Sequence, residues 1–349
     1  MPIATLDPED KQLAAKEQLI VVRDTEIRRL KSSNTKLVTE RDELRRLLDR
    51  FSTIKPEDTK VPRWTKPKKK STAKTATGVL LLSDLHLDEV VDFYEMDGIN
   101  EYNRDIAQQR LERIVNKTVE LLLHTYGGDV HIEGLIVAIL GDILTGVIHD
   151  ELERTNEAPP AASIVFWVPI IAAALEYLAD EFGRLYVPCV DGNHDRFYKK
   201  TPKKQRAESS LAWVVYNWLA DHLRDDERIT FGISTSPEQL IDVYDTTVLL
   251  THGDGFRSSG GVGGLYPSLL KWLLRKHDLY SATKRDFDIA VMGHWHSPKW
   301  GEDFVVNGSL KGYDEYAKDG GFKFAAPSQQ LFTLTPERGI GQRIEVDGE

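Results

Sequence analysis

The sequence predicts an α/β protein preceded by a long amino-terminal helix. Short apolar runs of strand length recur from residue 79 onwards, and segments of helix length lie between them. Alternation of this kind indicates helices layered on buried sheets. The amino-terminal helix is predicted by a third observation, which is that no Gly or Pro occurs between Glu9 and Lys55.

The first 54 residues form the predicted helical element. Asp7-Pro8 marks its start, because a capping side chain is followed by proline at the first helical position. A heptad repeat then has Ile20, Ile27, Asn34, Arg41 and Leu48 at its a positions and Leu30, Leu37, Leu44 and Phe51 at its d positions. A buried Asn at an a position favours parallel pairs. We therefore expect residues 8–51 to form a parallel coiled coil that makes the protein a homodimer. A single helix lying on the body of the protein is the alternative.

Residues 55–76 combine proline with a run of basic residues, and we expect them to form an extended basic linker. Residues 1–75 contain 19 Lys and Arg against 12 Asp and Glu, whereas the remainder contains 26 against 43. Two interpretations stay open for the linker. It is either a solvated spacer or a segment that contacts a phosphate backbone, with Trp64 stacking on a base.

Residues 77–349 are expected to form one domain. Buried strands are predicted at residues 79–84, 135–142, 185–193, 247–253 and 288–294. Helices are predicted at residues 105–124, 163–181, 207–223 and 266–277, with further strands between residues 303 and 346. This pattern is typical of a layered α/β domain.

Composition excludes several classes of protein. Hydrophobic residues make up 41% of the 349 residues and charged residues 29%, as is ordinary for a soluble globular protein. The longest apolar stretch, residues 164–175, is interrupted by Pro169 and is too short to span a bilayer. The single cysteine, Cys189, excludes an intramolecular disulfide. Since the amino terminus lacks the apolar core of a secretory signal, we expect a cytoplasmic protein without a membrane partner.

Polar motifs follow each of the five predicted strands. They are Asp84-Leu85-His86, Gly141-Asp142, Gly192-Asn193-His194-Asp195, Thr251-His252-Gly253-Asp254 and Gly293-His294-Trp295-His296. The carboxyl ends of strands form the usual ligand crevice of an α/β sheet, so we expect these motifs to meet. Carboxylates, imidazoles and one amide, without a thiolate, suit manganese, iron, zinc or magnesium. In the D-x-H and H-x-H pairs, alternate residues on extended backbone would reach the same ion. The glycines before Asp142, Asn193 and His294 permit sharp turns and a close approach of the backbone.

The order of these motifs resembles that of the calcineurin-like metallophosphoesterase superfamily, over residues 78 to about 310. The resemblance implies a four-layer α-β-β-α sandwich of two mixed sheets. It also implies two divalent metal ions, for which manganese is favoured over iron, zinc and magnesium. The implied ligands are Asp84, His86 and His296 for one ion and Asn193, His252 and His294 for the other, with Asp142 bridging both.

The same resemblance implies the reaction. Two ions held in this way activate a hydroxide and hydrolyse a phosphoester. His194 would give a hydrogen bond or a proton to the leaving oxygen, and Asp195 would orient His194.

Among the branches of this superfamily, the third motif, GNHD with the histidine retained, is similar both to SbcD-type DNA nucleases and to small cyclic-nucleotide phosphodiesterases. A resemblance to phage and bacterial DNA-repair exonucleases favours the first of these branches. Two features depart from the SbcD-type nucleases. Only 53 residues follow His296, too few for their capping domain, and Asp254 stands where many members have histidine. We expect an exo- or endonuclease that binds nucleic acid, with DNA favoured over RNA. Hydrolysis of cyclic nucleotides or other small phosphodiesters is the alternative, and a non-catalytic scaffold assembled by the coiled coil is a third interpretation.

Two loops are expected to border the site. Residues 145–161 follow the Asp142 motif, and the Gly-rich residues 258–264 follow the His252 motif. Loops around a site often contact the substrate. His149 lies in the first loop, and we expect it to be a bystander.

Overall fold

The computed structural model describes residues 61–66, 74–125, 130–200, 202–258 and 264–349, together with Arg23, Thr25, residues 27–35 and Val38. The chain divides into two compact units, Met1–Lys55 and Pro56–Glu349. The described residues of the first unit are helical. The rest of the predicted coiled coil lies outside the described residues, so both the coiled coil and the dimer stay predictions.

Two mixed sheets form the centre of the second unit. In chain order, their strands within the described residues are β1 (Thr75–Leu82), β2 (His131–Ile139), β3 (Leu185–Cys189), β4 (Ile229–Ile233), β5 (Glu238–Val243), β6 (Thr246–Thr251), β7 (Ile289–Met292), β8 (Lys299–Trp300), β9 (Phe304–Val306), β10 (Ser328–Thr335) and β11 (Gly339–Asp347). The first sheet has the order β11-β10-β1-β2-β3-β4, with β1 to β4 parallel and the β10–β11 pair antiparallel. The second has the order β5-β6-β7-β9-β8, with β6, β7 and β9 parallel. All five apolar runs that predicted strands contribute to strands, namely β1, β2, β3, β6 and β7.

The helices flank these sheets. Within the described residues of the second unit they are α1 (Arg104–Val119), α2 (Leu152–Thr155), α3 (Pro160–Phe182), α4 (Leu211–His222), α5 (Tyr266–Ala282) and α6 (Glu315–Asp319). A π-helical turn, Glu120–Thr125, continues α1. Capping side chains determine where α1 and α4 begin: Asn103 accepts a hydrogen bond from the Ile106 N–H at 3.0 Å, and Ser210 accepts one from the Trp213 N–H at 3.1 Å. Gly183, with φ of 72°, ends α3 in the left-handed conformation that favours glycine.

Apolar side chains hold the layers together. The interface between the sheets includes the buried residues Val79, Leu81, Ile136, Val248, Leu250 and Val291. On the outer face of the first sheet, side chains of α1, α3 and α4 meet residues from the ends of β1 and β2, as shown by Leu111, Leu175, Leu219, Leu82 and Ile139 around one small gap. On the outer face of the second sheet, α5 contributes Leu269, Trp272 and Leu273 to a buried cluster. The predicted four-layer α-β-β-α sandwich is therefore confirmed.

Helix α3 is longer than the predicted apolar stretch. Its 23 residues, Pro160–Phe182, are long and apolar enough to cross a membrane by length and composition. One face of the helix, including Trp167, Val168 and Ile171, is buried in the helical layer over the first sheet. A core helix passes the same length and composition test, so these two criteria do not assign α3 to a membrane.

Part of the predicted linker is docked on the second unit. Thr65 is fully buried, and its carbonyl accepts a hydrogen bond from the Tyr244 N–H at 2.7 Å. Trp64 packs half-buried against the core between the sheets. A Cβ added at Gly134 would lie 3.0 Å from the Trp64 ring, so the glycine leaves room for it. The expectation of an extended linker is therefore wrong for residues 61–66, and Trp64 packs on the protein instead of projecting towards a base.

Candidate metal centre

The loops that follow five strands build the site. Strands β1, β2 and β3 are parallel in the first sheet, and β6 and β7 are parallel in the second, so their carboxyl ends lie along one edge of each sheet. The loop after β1 contacts the loop after β2, because the Asp84 N–H donates to the Gly141 carbonyl at 3.1 Å. It also contacts the loop after β7, because the His294 N–H donates to an Asp84 carboxylate oxygen at 2.9 Å. The site therefore lies where the two sheets meet.

One cluster of ligand atoms contains Asp84, His86 and His296. His296 Nε2 lies 3.1 Å from His86 Nε2 and 3.2 Å from Asp84 Oδ1. Asp84 and His86 are fully buried, and His296 is partly exposed. The Ser83 hydroxyl donates to Asp84 Oδ2 at 2.5 Å and so fixes the carboxylate. Two imidazole nitrogens and one carboxylate oxygen thus face a common point.

A second cluster contains Asp142, His252 and His294. His252 Nε2 lies 3.0 Å from Asp142 Oδ2 and 3.0 Å from Asn193 Oδ1. The other ring nitrogen, His252 Nδ1, donates to the Leu140 carbonyl at 2.7 Å. This contact assigns the Nδ1 proton and leaves Nε2, on the side of Asp142 and Asn193, as the nitrogen that a metal would bind. The structure therefore brings together all seven residues that the sequence predicted as ligands, while the bridging of two ions by Asp142 stays a prediction.

The backbone of the ligand loops differs from the expectation. The pairs Asp84/His86 and His294/His296 were expected on extended backbone. Their φ angles are instead 53°, 46°, 69° and 49°, and that of Asp142 is 51°. Non-glycine residues adopt the left-handed region at a cost, and such strain concentrates at functional sites. The extended-backbone argument for these two pairs is therefore wrong, since tight left-handed turns direct both side chains of each pair into the site.

Glycines give the ligand loops room to approach each other, as the sequence predicted. A Cβ at Gly192 would collide with the side chain and backbone of Asp142, and one at Gly141 would collide with the Gly192 backbone. A Cβ at Gly293 would collide with the Asp84 carboxylate. Gly141 also has φ of 86°, which favours glycine. The glycines thus bring the two aspartates against the neighbouring loops.

The electrostatics of the centre favour a bound cation. Burial lowers the pKa of His86 well below its usual value and that of His294 to about 4, so both imidazoles are neutral, the form that binds metals. Burial also acts on His252, but the Asp142 carboxylate outweighs it and raises the pKa of His252 to about 10. A carboxylate that attracts a proton to this position also attracts a divalent cation.

His194 and Asp195 lie beside the two clusters. The His194 ring lies 4.7 Å from the His86 ring, centroid to centroid, and its Nδ1 lies 3.2 Å from the Thr145 carbonyl. The Asp195 carboxylate accepts hydrogen bonds from the backbone N–H groups of Asp142, at 2.6 Å, and Leu144, at 3.2 Å. The expectation that Asp195 orients His194 is therefore wrong, because both oxygens of Asp195 hold the Asp142 loop and a backbone carbonyl holds His194.

Two of the loop predictions have different outcomes. The ring of His149, an exposed residue of the loop after Asp142, lies 6.0 Å from the His194 ring between centroids. The loop is therefore a wall of the site, although a role for His149 stays untested. Residues 259–263 of the predicted Gly-rich wall lie outside the described residues.

A buried charge network next to His86 was missed from the sequence. Glu89 Oε2 lies 3.3 Å from His86 Nδ1, close enough to interact although the atoms are not aligned as a hydrogen bond. The Lys311 ammonium, itself buried, donates to Glu89 at 2.6 Å and pairs with Asp314 at 2.5 Å. A carboxylate beside the second nitrogen of a ligand histidine supports the position of its ring. Glu89 follows His86 by three residues, and this spacing could have indicated a contact between the two. No residue near Lys311 in the sequence indicates its contact with Glu89.

The departure at Asp254 also has a structural explanation. Arg206 donates to Asp191 at 2.5 Å and to Asp254 at 3.0 Å. Asp254 is therefore a partner of Arg206. The ion pairs tie the loop after β6 to the segment after β3, on the side of His252.

Comparisons with known proteins show similarity in fold alone. No protein-family model and no curated protein matches the chain. A dimetal phosphatase from Danio rerio is 10% identical, with a TM-score of 0.37, and the match covers 78% of this chain and 99% of that protein. The sulfate thiohydrolase SoxB of Thermus thermophilus is 10% identical, with a TM-score of 0.32, and the match covers 80% of this chain and 57% of that protein. The phosphopantetheinyl hydrolase PptH of Mycobacterium tuberculosis is 12% identical, with a TM-score of 0.27, and the match covers 71% of this chain and 93% of that protein.

Proposed function

We propose that the chain is a two-metal phosphodiester hydrolase. The observation that carries this proposal is the convergence of two clusters of three ligand residues at the place where the two sheets meet. The donor atoms fit divalent cations. His296 Nε2 lies 3.1 Å from His86 Nε2 and 3.2 Å from Asp84 Oδ1, and lone pairs this close need a cation or a proton between them.

The residues of the site have distinct roles in this proposal. Asp84, His86 and His296 would hold one ion, Asn193, His252 and His294 would hold the other, and Asp142 would serve both. Two divalent ions bound in this way supply water activation and neutralise the charge of the phosphoryl group. Manganese is the metal we favour, with iron, zinc and magnesium as alternatives.

His194 is the group that acts on the leaving oxygen. It belongs to neither ligand cluster, and its Nδ1 donates to the Thr145 carbonyl at 3.2 Å. The ring is thereby fixed with Nε2 available for the substrate. Because its Nδ1–H is used by this carbonyl, the ring gives a hydrogen bond or a proton from Nε2 only as the imidazolium, with both nitrogens protonated, and in that form it acts on the leaving oxygen as the phosphoester bond breaks.

The substrate that we favour is nucleic acid, with DNA ahead of RNA, and cyclic nucleotides or other small phosphodiesters are the rival class. The retained histidine of the GNHD motif supports cleavage of diesters in both classes. The two classes differ in what they need beyond the metal centre, since a strand extends past the site and contacts its surroundings. A small diester needs no such surface.

The test is a panel assay of the full-length protein. Manganese-loaded protein is incubated with single-stranded DNA, RNA, a cyclic dinucleotide and bis(p-nitrophenyl) phosphate, beside EDTA-treated protein and the Asp142→Asn variant. The proposal expects metal-dependent diester cleavage that the variant lacks, and faster turnover of DNA than of the cyclic dinucleotide. Equal activity with EDTA would contradict the metal mechanism, and faster turnover of the cyclic dinucleotide would select the rival class.

A further inference from the structure

A basic loop follows directly after the His194 motif. Residues 196–206, all described except Thr201, contain six Lys and Arg and no Asp or Glu. They also contain two adjacent aromatic residues, Phe197 and Tyr198. The body that carries this loop is acidic, with 26 basic against 43 acidic residues after residue 75. We call residues 196–206 the basic loop.

Both ends of the basic loop are anchored next to the metal centre. At its start, the Arg196 guanidinium donates to the backbone carbonyl of Asn193, a proposed ligand, and to those of Tyr198 and Lys199. At its end, Arg206 holds Asp191 and Asp254 as described above. The two arginines therefore fix the loop at the rim of the site, and the charge of Arg206 is paired with two carboxylates.

The middle of the basic loop faces solvent. Phe197 is 53% exposed and Tyr198 is 60% exposed, so both rings are accessible to a ligand. Lys199 pairs with Asp150, which lies in the loop of residues 145–161 and follows His149, on the His194 side of the site. Lys200, Lys203 and Lys204 are exposed, and no ion pair to them is found among the described residues. Three cations and two rings are thus exposed in a loop whose two ends are anchored next to the metal centre.

We infer that the basic loop binds a single-stranded nucleic acid next to the phosphate that is cleaved, an inference that rests on the proposed function. Lysines of an exposed loop neutralise backbone phosphates, and exposed rings stack on bases of any sequence. The combination of cations and rings complements a strand, which offers both phosphates and base faces. A small diester bound only at the metal centre would not reach three lysines that are spread over five residues.

The charge arrangement separates this occupant from others. An anionic membrane would contact the lysines as well. The loop that carries them is tied to residues of the metal centre, however, so a ligand bound to the loop lies next to the site, as a strand that is cleaved there must. The unpaired lysines also provide local positive charge within an acidic domain, which steers a polyanion towards one rim of the molecule. The strand therefore enters along the basic loop.

Binding of a short fluorescein-labelled single-stranded DNA to the full-length protein, measured by anisotropy in EDTA so that nothing is cleaved, tests the inference. The variant Lys200→Gln/Lys203→Gln/Lys204→Gln should weaken binding about tenfold or more, and its log–log salt dependence should be shallower by about 2, since each lost phosphate contact on a single strand removes about 0.7. Phe197→Ala/Tyr198→Ala should weaken binding about tenfold while keeping the salt dependence of the wild type.

A matched control removes three charges elsewhere. Arg275, Lys284 and Arg285 are exposed, and the last two lie before the amino end of β7, opposite the metal ligands. The variant Arg275→Gln/Lys284→Gln/Arg285→Gln should bind DNA within about twofold of the wild type and have a nearly unchanged salt slope. Equal losses in the loop and control variants would overturn the inference, as would a loop variant that loses binding to phosphatidylserine vesicles but not to DNA.

Kinetics separate this inference from the proposed function. With manganese, the ratio of KM for DNA to KM for bis(p-nitrophenyl) phosphate should rise about tenfold or more in the loop variant and stay constant in the control. If the wild type cleaves neither substrate, the proposed function fails, and the anisotropy series still decides the loop. If it cleaves both and the loop variant leaves the KM ratio unchanged, hydrolysis stands and the role of the basic loop is contradicted.

Discussion

The carboxylate of Asp195 accepts a hydrogen bond from the backbone N–H of Asp142, with 2.6 Å between the two atoms. Its second oxygen accepts the Leu144 N–H at 3.2 Å. Asp142 has φ of 51°, so its loop is held in a conformation that a non-glycine residue adopts at a cost. Asp195 therefore supports the metal centre through the backbone of a ligand, without contacting His194.

Replacing Asp195 with Asn should destabilise the metal-free protein by about 1–3 kcal/mol, because the amide has one acceptor for two buried N–H donors. The measurement is urea unfolding in EDTA. The control is Asp225→Asn, which makes the same chemical change at an exposed residue and should have little effect. Equal stability of the two variants would show that Asp195 does not hold the Asp142 loop.

Replacing His194 with Ala should lower kcat for a phosphodiester by about 10²- to 10⁴-fold, the usual contribution of a general acid or base. Metal content should not change, since His194 belongs to neither ligand cluster. Steady-state kinetics and metal analysis of the same sample measure the two quantities. The parallel variant His149→Ala shows whether its neighbour shares the role. Near-normal turnover in a metal-replete His194→Ala protein would remove His194 from the mechanism.

Replacing Glu89 with Ala should weaken metal binding at the His86 cluster by about 10- to 100-fold, the usual cost of removing a carboxylate that orients a ligand histidine. Calorimetric titration of the metal-free protein with manganese should show one weakened site and one site of unchanged affinity. Glu153→Ala, an exposed glutamate in α2, is the control. Two unchanged sites would mean that Glu89 only neutralises Lys311.

Features that depend on neighbouring residues in the sequence could be predicted, whereas features that depend on contacts between residues far apart in the sequence could not. Strands such as β1 and β3 were predictable because their apolar runs lie buried between helices and the second sheet. The meeting of the polar motifs, from Asp84 to His296, was predictable because they follow the carboxyl ends of such strands, and their assignment as ligands came from the family resemblance. The left-handed turns at Asp84 and His86 were not predictable, since Asp-Leu-His contains no glycine to indicate them.

Long-range pairing accounts for the other differences. Glu89 and Lys311 are 222 residues apart, and only the fold of the tail brings them together. Asp195 was assigned to its sequence neighbour, whereas its carboxylate contacts a residue 53 positions away. Trp64 was assigned to a linker because prolines and lysines surround it, whereas its ring and the buried Thr65 pack on the core. Local patterns do not contain these pairings.

The amino-terminal unit makes a separate prediction. Residues 8–51 should form a parallel two-stranded coiled coil, so the full-length protein should have the mass of a dimer in light scattering at micromolar concentration. Deletion of residues 1–55, which stops before the docked residues 61–66, should give a monomer that still hydrolyses bis(p-nitrophenyl) phosphate. Asn34→Ile should stabilise the coil and loosen its preference for two strands. A monomeric full-length protein would exclude the dimer.

The central claim is that seven side chains hold two metal ions at the place where the two sheets meet. Anomalous scattering from a crystal of the protein soaked in manganese tests it most directly. The account predicts two peaks about 3.5–4 Å apart, with Asp142 contacting both, Asp84, His86 and His296 around one, and Asn193, His252 and His294 around the other. A map with no peak, or with a single ion bound by only one of these side chains, would contradict it.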